Sequence, residues 1–210
     1  MKKLIIIGAG GFGREVLGYA LDMPVSQRDW EVFGFIDDNL AALDQYSMDY
    51  HVIGSIKEHV PKSEEVFICA LGDPKIKLQV CGMLEEKDAT FTNVMHPSAL
   101  IGRTAKHGNG LIMAPYSGLS ADVKLGKFVT VNSYSGFGHD SVAENGCTLS
   151  AHCDVTGFGY LEEGVFLGSH AVVAPHVRVG KYAKVGAGSV AIKNVEAFSV
   201  VFGSPAKVIF

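Results

Sequence analysis

One histidine of this chain stands in a setting suited to proton transfer near neutral pH. His139 follows Gly138 and precedes Asp140, so the backbone before it is open and a carboxylate lies beside it. An imidazole with an ordinary pKa of about 6.5 is the natural general base in this pH range. The carboxylate can orient the ring and raise its basicity. His139 and Asp140 are therefore candidate catalytic residues, with a plain polar surface role for His139 as the alternative.

Gly157, eighteen residues after His139, is the second candidate catalytic position. It has no side chain, so its backbone N–H could reach a negative charge that develops on a reacting carbonyl oxygen. A base and such a donor together can serve acyl transfer. His152 and His170 are also eighteen residues apart, but no third ligand has a suitable spacing. We therefore expect no metal site.

A glycine-rich segment near the N-terminus is the candidate phosphate-binding loop. The apolar run 4–7 leads into GAGGFG, in which Gly8, Gly10 and Gly13 fit the pattern G-x-G-x-x-G. Residues without a Cβ let backbone amides approach a phosphate at the start of a helix. Asp37, at the end of a second predicted strand, could accept hydrogen bonds from ribose hydroxyls. A nucleotide-linked substrate, NAD and a purely structural turn are the alternatives for this motif.

The elements around this loop predict a Rossmann-like α/β domain over residues 1–95. Apolar runs predict strands at 4–7, 32–36 and 66–71, and helical spacing predicts helices at 14–21 and 77–84. The domain is too short for the second mononucleotide-binding half that a dinucleotide fold needs. The rest of the chain supplies no nicotinamide chemistry, so we favour a nucleotide-linked substrate over NAD.

Residues 101–190 divide into fifteen consecutive hexads without insertion or deletion. The first residue of the hexad is large and apolar in thirteen of them, and the fifth is nearly always small or β-branched. A period of six is typical of a β-solenoid in which each hexad forms one side and three hexads close a coil. We therefore expect an all-β solenoid of about five coils within residues 96–210, in which residues eighteen apart stack.

The composition narrows the range of functions. The 210-residue chain has a net charge of −4 and no basic run, so the electrostatic footprint of nucleic-acid binding is absent. No stretch approaches the roughly 18 apolar residues that span a bilayer, and nothing resembles a signal peptide. The four cysteines form no C-x-x-C pair. This favours buried free thiols in a reducing cytoplasm.

Several motifs together resemble the NeuD/PglD-like family of sugar acetyltransferases over essentially the whole chain. They are GAGGFGREV, FIDD, ALGD, HPSALIG, GHD, the hexads and the terminal GSPAKVI. The resemblance implies an N-terminal Rossmann-like domain joined to a left-handed parallel β-helix, assembled as a homotrimer. It also implies acetyl-CoA as the donor and a nucleotide-linked amino-dideoxy sugar as the acceptor, for surface-glycan synthesis.

The same resemblance implies roles for individual residues. His139 matches the family's catalytic base, Asp140 the acid that follows it, and Gly157 the amide that contacts the thioester oxygen. The expected acceptor site consists of Gly8, Gly10, Gly11, Phe12, Asp37, Asp38 and Gly72. The expected acetyl-CoA site consists of Thr148, Ser169, Gly186 and Ala187.

The chain departs from the family pattern at Phe12, at Lys77 and at Ala143-Glu144, where Ile-Gly is usual. Phe12 stands where many members carry histidine, so phosphate recognition must rest more on backbone amides. Lys77 replaces a common arginine, which exchanges a planar fork of donors for a point charge. We expect N-acetylation of the 4-amino group of a UDP-, dTDP- or GDP-linked sugar by direct attack of the amine. O-acetylation of sialic acid and a non-catalytic trimeric nucleotide-binding scaffold are the alternatives.

Overall fold

Residues 1–209 are described by a computed structural model. The N-terminal part of the chain is a parallel sheet covered by two helices. Its elements are β1 (Lys2–Ile7), α1 (Gly11–Asp22), a 3₁₀ turn (Val25–Gln27), β2 (Trp30–Ile36), β3 (Val52–Gly54), β4 (Glu65–Cys69) and α2 (Pro74–Glu85). The four strands are all parallel and lie in the order β3-β2-β1-β4.

The central strand β1 is buried on both faces. Leu4 and Ile6 belong to the core beneath α1, whereas Ile5 and Ile7 belong to the core beneath α2, and all four are fully buried. A strand covered on both sides needs apolar residues at every position, which explains the unbroken run. The predicted Rossmann-like α/β class is confirmed for this part of the chain.

The helices begin earlier than their apolar spacing predicts. α2 starts at Pro74 because Asp73 caps it, accepting hydrogen bonds from the N–H groups of Lys75 (2.9 Å) and Ile76 (3.1 Å). α1 starts at Gly11, inside the glycine loop. The short edge strand β3 was not predicted, since three residues carry too little pattern to show a period.

From Val94 onward, short strands form the three faces of a prism. Face one contains β5 (Val94–Met95), β8 (Ile112–Met113), β11 (Thr130–Val131), β14 (Thr148–Leu149), β17 (Phe166–Leu167), β20 (Lys184–Val185), β22 (Val200–Phe202) and the antiparallel β23 (Lys207–Val208). Face two contains β6 (Leu100–Ile101), β9 (Gly118–Leu119), β12 (Gly136–Phe137), β15 (Asp154–Val155), β18 (Val172–Val173) and β21 (Val190–Ala191). Face three contains β7 (Lys106–His107), β10 (Lys124–Leu125), β13 (Val142–Ala143), β16 (Tyr160–Leu161) and β19 (Arg178–Val179).

The hexad period sets the register of all three faces. Gly136 pairs with Asp154, eighteen residues on, and the other parallel pairs within the hexads follow the same rule. The second residue of most of these strands points into the prism, so that Val155 and Leu161 are fully buried. The predicted left-handed parallel β-helix is confirmed. The estimate of about five coils is too low, because the strands run from β5, which precedes the first counted hexad, to β22, which lies beyond the last one.

Three corners connect the faces. Corner 1 (132–135 and its equivalents) joins face one to face two, corner 2 (138–141) joins face two to face three, and corner 3 (144–147) leads back to face one. The fourth residue of most hexads turns the chain with φ near +60°. On corner 1 the rings of Tyr134, His152 and His170 stack at centroid distances of 4.9 and 4.6 Å. The predicted stacking of the two histidines is therefore confirmed.

Lys77 joins the two parts of the molecule. Its side chain is buried, and Nζ donates hydrogen bonds to Thr148 Oγ1 (2.8 Å), Thr130 Oγ1 (3.1 Å) and the carbonyl oxygen of Cys147 (3.4 Å). Burial lowers the pKa of Lys77 to about 8. The division of the chain at residues 95 and 96 stays a prediction.

All four cysteines are buried and free, which agrees with the expectation from their spacing. No helix within residues 1–209 combines the length and the apolar character that crossing a membrane requires. In the same range, no group of three or more His, Cys, Asp or Glu side chains is placed to hold a metal ion.

Candidate active site

The glycine loop connects the buried strand β1 to the start of α1. Gly8 has φ +95°, and a Cβ there would lie 2.8 Å from Leu71 Cδ2 and 3.2 Å from the carbonyl oxygen of Ala70, so a side chain is excluded. Gly10 precedes α1, whose first turn has neither a side-chain cap nor an acidic residue. The unpaired N–H groups of that turn and the helix dipole create a surface suited to an anion.

The two predicted acidic residues lie beside this loop, because β1 and β2 end at the same edge of the sheet. Asp37 Oδ2 accepts a hydrogen bond from the N–H of Ala9 (2.8 Å), and its Oδ1 accepts one from Asn39 (2.8 Å). Asp38 Oδ1 accepts one from the N–H of Lys57 (3.3 Å). Asp37 therefore holds the glycine loop in shape, which the motif alone did not predict.

Arg14 adds positive charge to the loop and was missed by sequence reasoning. Its guanidinium carbon lies 3.5 Å from the ring centroid of Tyr46, and Nη2 lies 3.8 Å from the place that a Cβ on Gly11 would take. Its Nε is buried without a hydrogen-bond partner. A cation is unfavourable at the positive end of a helix dipole, so an anion bound at this loop would offset the repulsion between Arg14 and the start of α1.

A cleft of about 470 Å³, the interdomain cleft, lies between α1 and the solenoid. Phe12 and Gly72 of the expected acceptor site line it together with Thr148 and Ser169 of the expected acetyl-CoA site. Sequence reasoning missed the remaining lining, because it comes from separate elements and carries no motif: Glu15, Tyr19, Asn132, Ser133, Ser150, Ala151 and Phe166.

Tyr19 is the half-buried phenol of the interdomain cleft. Burial and, next, the charge of Glu15 raise the pKa of Tyr19 to about 12. Its hydroxyl donates a hydrogen bond to Glu15 Oε2 (3.3 Å). Tyr19 is therefore protonated at neutral pH, where it can donate hydrogen bonds but cannot act as a base.

His139 lies on corner 2 with its two ring nitrogens in different surroundings. Nδ1 lies 2.9 Å from Asp140 Oδ2, which fits an Nδ1–H that donates to the carboxylate. Nε2 then carries the lone pair. A Cβ on Gly157 would lie only 2.8 Å from Nε2, so the ring leans over this glycine. The structure thus brings His139, Asp140 and Gly157 together and leaves Nε2 free to accept a proton.

The remaining predicted residues lie apart from this group. Gly186 and Ala187 follow β20, toward the C-terminal end of the solenoid, and the ring of Phe202 packs over Gly186. His139 does not line the interdomain cleft, which reaches the solenoid at corner 1 through residues such as Ser133. One chain therefore carries the candidate base and the cleft at opposite edges of face two.

Comparison with known proteins agrees with this architecture. Residues 3–84 match the family model of the PglD N-terminal domain. Over 170 residues, 80% of the chain, the sequence is 26% identical to the GDP-perosamine N-acetyltransferase of Escherichia coli O157:H7, and the match spans 76% of that protein. The chain is therefore similar to NeuD/PglD-like sugar acetyltransferases over most of its length. The resemblance carried by the sequence motifs is confirmed.

Solved structures of similar proteins extend the similarity over nearly the whole chain. The acetyltransferase domain of PglB from Neisseria gonorrhoeae FA1090, in complex with acetyl coenzyme A, is 25% identical with a TM-score of 0.87, and the match covers 99% of both chains. WeeI from Acinetobacter baumannii AYE is 25% identical with a TM-score of 0.86, and 100% of both chains is covered. Both parts of the chain are therefore shared with these proteins.

Proposed function

We propose that this protein is an N-acetyltransferase that uses acetyl-CoA and acts on the 4-amino group of a UDP-, dTDP- or GDP-linked amino-dideoxy sugar. The observation that carries the proposal is the free Nε2 of His139 above Gly157, with Nδ1 held by Asp140. The similarity to a GDP-perosamine N-acetyltransferase supports this acceptor class. The similarity to a PglB domain in complex with acetyl coenzyme A supports the donor.

His139 is the general base of the proposed reaction. The amine nitrogen of the sugar bonds to the thioester carbonyl carbon, and His139 Nε2 accepts one proton from that nitrogen. Asp140 stabilises the resulting imidazolium through Nδ1–H, and the N–H of Gly157 donates to the carbonyl oxygen as it becomes negative. His139 then returns the proton to the sulfur as the C–S bond breaks. The four cysteines are buried, which supports direct attack by the amine.

The glycine loop and the interdomain cleft form the proposed acceptor site. Gly8, Gly10 and Gly11 would bind the phosphates through backbone amides, with added charge from Arg14. Each oxygen of Asp37 keeps a second lone pair for a base or ribose, and Asp38 lies next to it. Phe12 and Gly72 lead from the loop into the cleft, where the sugar would lie.

Thr148 and Ser169 supply hydroxyl groups to the proposed acetyl-CoA site. Because Thr148 Oγ1 accepts a hydrogen bond from Lys77, its own hydrogen points elsewhere and is available to a ligand. Gly186 and Ala187 follow β20, two strands beyond β14 on face one, which is a distance of about 10 Å. This spacing fits a long, thin ligand that runs along the solenoid.

A homotrimer would bring the base and the interdomain cleft together. Because they lie at opposite edges of face two, His139 of one copy can reach the cleft of the next copy in a closed ring. Leu100 on this face is 74% exposed. Most outward positions of face two are apolar or lack a side chain, which suits contact with another copy: Leu100, Gly118, Gly136, Val172 and Val190.

The reaction would take place in the cytoplasm. Four buried free cysteines fit a reducing compartment, and acetyl-CoA is an intracellular metabolite. The net charge of −4 gives no reason to expect a nucleic-acid partner. The product would enter surface-glycan synthesis.

A thermal-shift panel of UDP-, dTDP-, GDP- and CMP-linked sugars would identify the nucleotide, and an acetylation assay with the matching amino sugar would test the reaction. We expect a nucleoside-diphosphate sugar to raise the Tm.

We expect His139→Ala to lower turnover by orders of magnitude while the oligomeric state is kept. Near-normal activity of this variant would contradict the base assignment. Turnover of free sialic acid would favour O-acetylation, and binding without any turnover would favour a scaffold.

A further inference from the structure

The imidazole of His139 is held by two side-chain contacts rather than by a core. Its side chain is 61% exposed. Nδ1 meets Asp140 Oδ2 at 2.9 Å, and the ring meets the ring of Phe158 at a right angle, with a centroid distance of 5.2 Å. A single hydrogen bond lets the imidazole pivot about the line from Nδ1 to the oxygen. The contact with Phe158 limits this pivot.

The backbone of corner 2 places Phe158 beside His139. The N–H of Phe158 donates to the carbonyl oxygen of His139 at 3.0 Å, and Phe158 turns the chain with φ +59°, as Asp140 does one coil earlier. Gly157, just before Phe158, provides the space over which the imidazole leans. The imidazole thus lies above a glycine and against a phenyl ring, with most of its side chain exposed.

His176 supports Phe158 from the next coil. The two rings stack at a centroid distance of 4.7 Å and an angle of 7°, and the N–H of His176 donates to the carbonyl oxygen of Gly157 at 3.3 Å. Phe158 is itself 47% exposed, so it depends on this second ring to limit its own rotation. His139, Phe158 and His176 form a continuous column of three rings, the corner 2 column.

We propose that Phe158, supported by His176, is a positioning residue that directs Nε2 of His139 toward the reacting amine. This inference rests on the proposed function, in which His139 is the base. A catalytic group displaced by about 1 Å can lose about a hundredfold in rate, even when substrate binding is unchanged. Loss of the Phe158 ring should therefore lower kcat more than it changes KM.

The test compares Phe158→Ala with Phe158→Tyr in the full-length protein. We expect Phe158→Ala to lower kcat about 10- to 100-fold, with both KM values within about twofold of the wild type. Phe158→Tyr keeps the ring and should keep the wild-type kcat. Phe198→Ala is the matched control, since Phe198 is also an exposed aromatic residue with φ near +60° but packs on Tyr182 at another corner. It should leave kcat unchanged.

Nitrogen NMR of the His139 imidazole gives a readout that does not depend on turnover. We expect one dominant tautomer with the proton on Nδ1 in the wild type and in Phe158→Tyr, and a mixture in Phe158→Ala. If Phe158→Ala fails to fold, Phe158→Leu keeps the apolar bulk without the ring and takes its place in both measurements.

His139→Ala, assayed in parallel, separates this inference from the proposed function. Wild-type kcat and an unchanged tautomer in Phe158→Ala, with His139→Ala inactive, would overturn the positioning role and leave the base in place. An active His139→Ala variant would overturn both.

Discussion

A methyl group on Gly157 would lie 2.8 Å from Nε2 and 2.9 Å from Cε1 of His139, closer than carbon atoms approach such groups in folded proteins. Gly157→Ala should therefore push the imidazole aside from its position at corner 2. We expect kcat to fall at least about a hundredfold, as for loss of a preorganised catalytic contact. Steady-state kinetics at saturating acetyl-CoA measure this change.

The same substitution in a variant without the imidazole is the control. If the methyl group acts only through His139, then Gly157→Ala should cause almost no further loss in the His139→Ala background. A large additional loss in the double variant would contradict the steric account and would assign the effect to the Gly157 N–H itself.

At the scale of secondary-structure elements, the repeat made the solenoid predictable. Every coil repeats the same pairing, so the sequence spacing alone placed Gly157 next to His139. The interdomain cleft was not predictable, because Tyr19 and Ser133 meet only where α1 docks on the solenoid, and docking has no sequence period. The hydrogen bond from the N–H of Ala9 to Asp37 was not predicted either. The glycine motif specifies residue types, but it does not specify the hydrogen bonds within the folded loop.

Lys77 makes the docking of α2 on the solenoid sensitive to alkaline pH. Burial lowers the pKa of Lys77 from 10.5 to about 8, so between these values the unfolded chain holds a proton that the folded chain has released. Stability contributed by this group should therefore rise as the pH rises from about 8 to about 10.5, by about 3 kcal/mol in all. Below pH 8 both states are protonated and the contribution is constant.

Thermal unfolding of the wild type and of Lys77→Met, at one protein concentration across this pH range, measures the effect. Methionine keeps the apolar stem of Lys77 but cannot titrate. We expect the Tm of the wild type to rise relative to that of Lys77→Met between pH 8 and pH 10.5. Parallel curves would show that Lys77 keeps an ordinary pKa in the folded protein.

At the scale of the whole molecule, the proposed site has two halves, the candidate base and the interdomain cleft, which lie apart in one chain. The glycine loop and the interdomain cleft approach face two from corner 1, whereas His139 stands at corner 2. In a closed ring of three copies, every cleft would face the His139 of a neighbour. This arrangement predicts that two inactive variants can restore each other's activity when they share a trimer.

The two variants are His139→Ala, which keeps the cleft, and Gly11→Asp, which keeps the base but sets a carboxylate against the phosphates. A side chain at Gly11 has space, since only Arg14 Nη2 lies within 4 Å of its Cβ position, at 3.8 Å.

Random assembly of the two variants in equal amounts makes three quarters of the trimers mixed, and each mixed trimer has one intact site of three. Co-expressed protein should therefore recover about a quarter of wild-type activity, whereas each variant alone stays inactive. Activity no higher than that of the separate variants, in trimers shown by mass spectrometry to be mixed, would mean that each site is built within one chain.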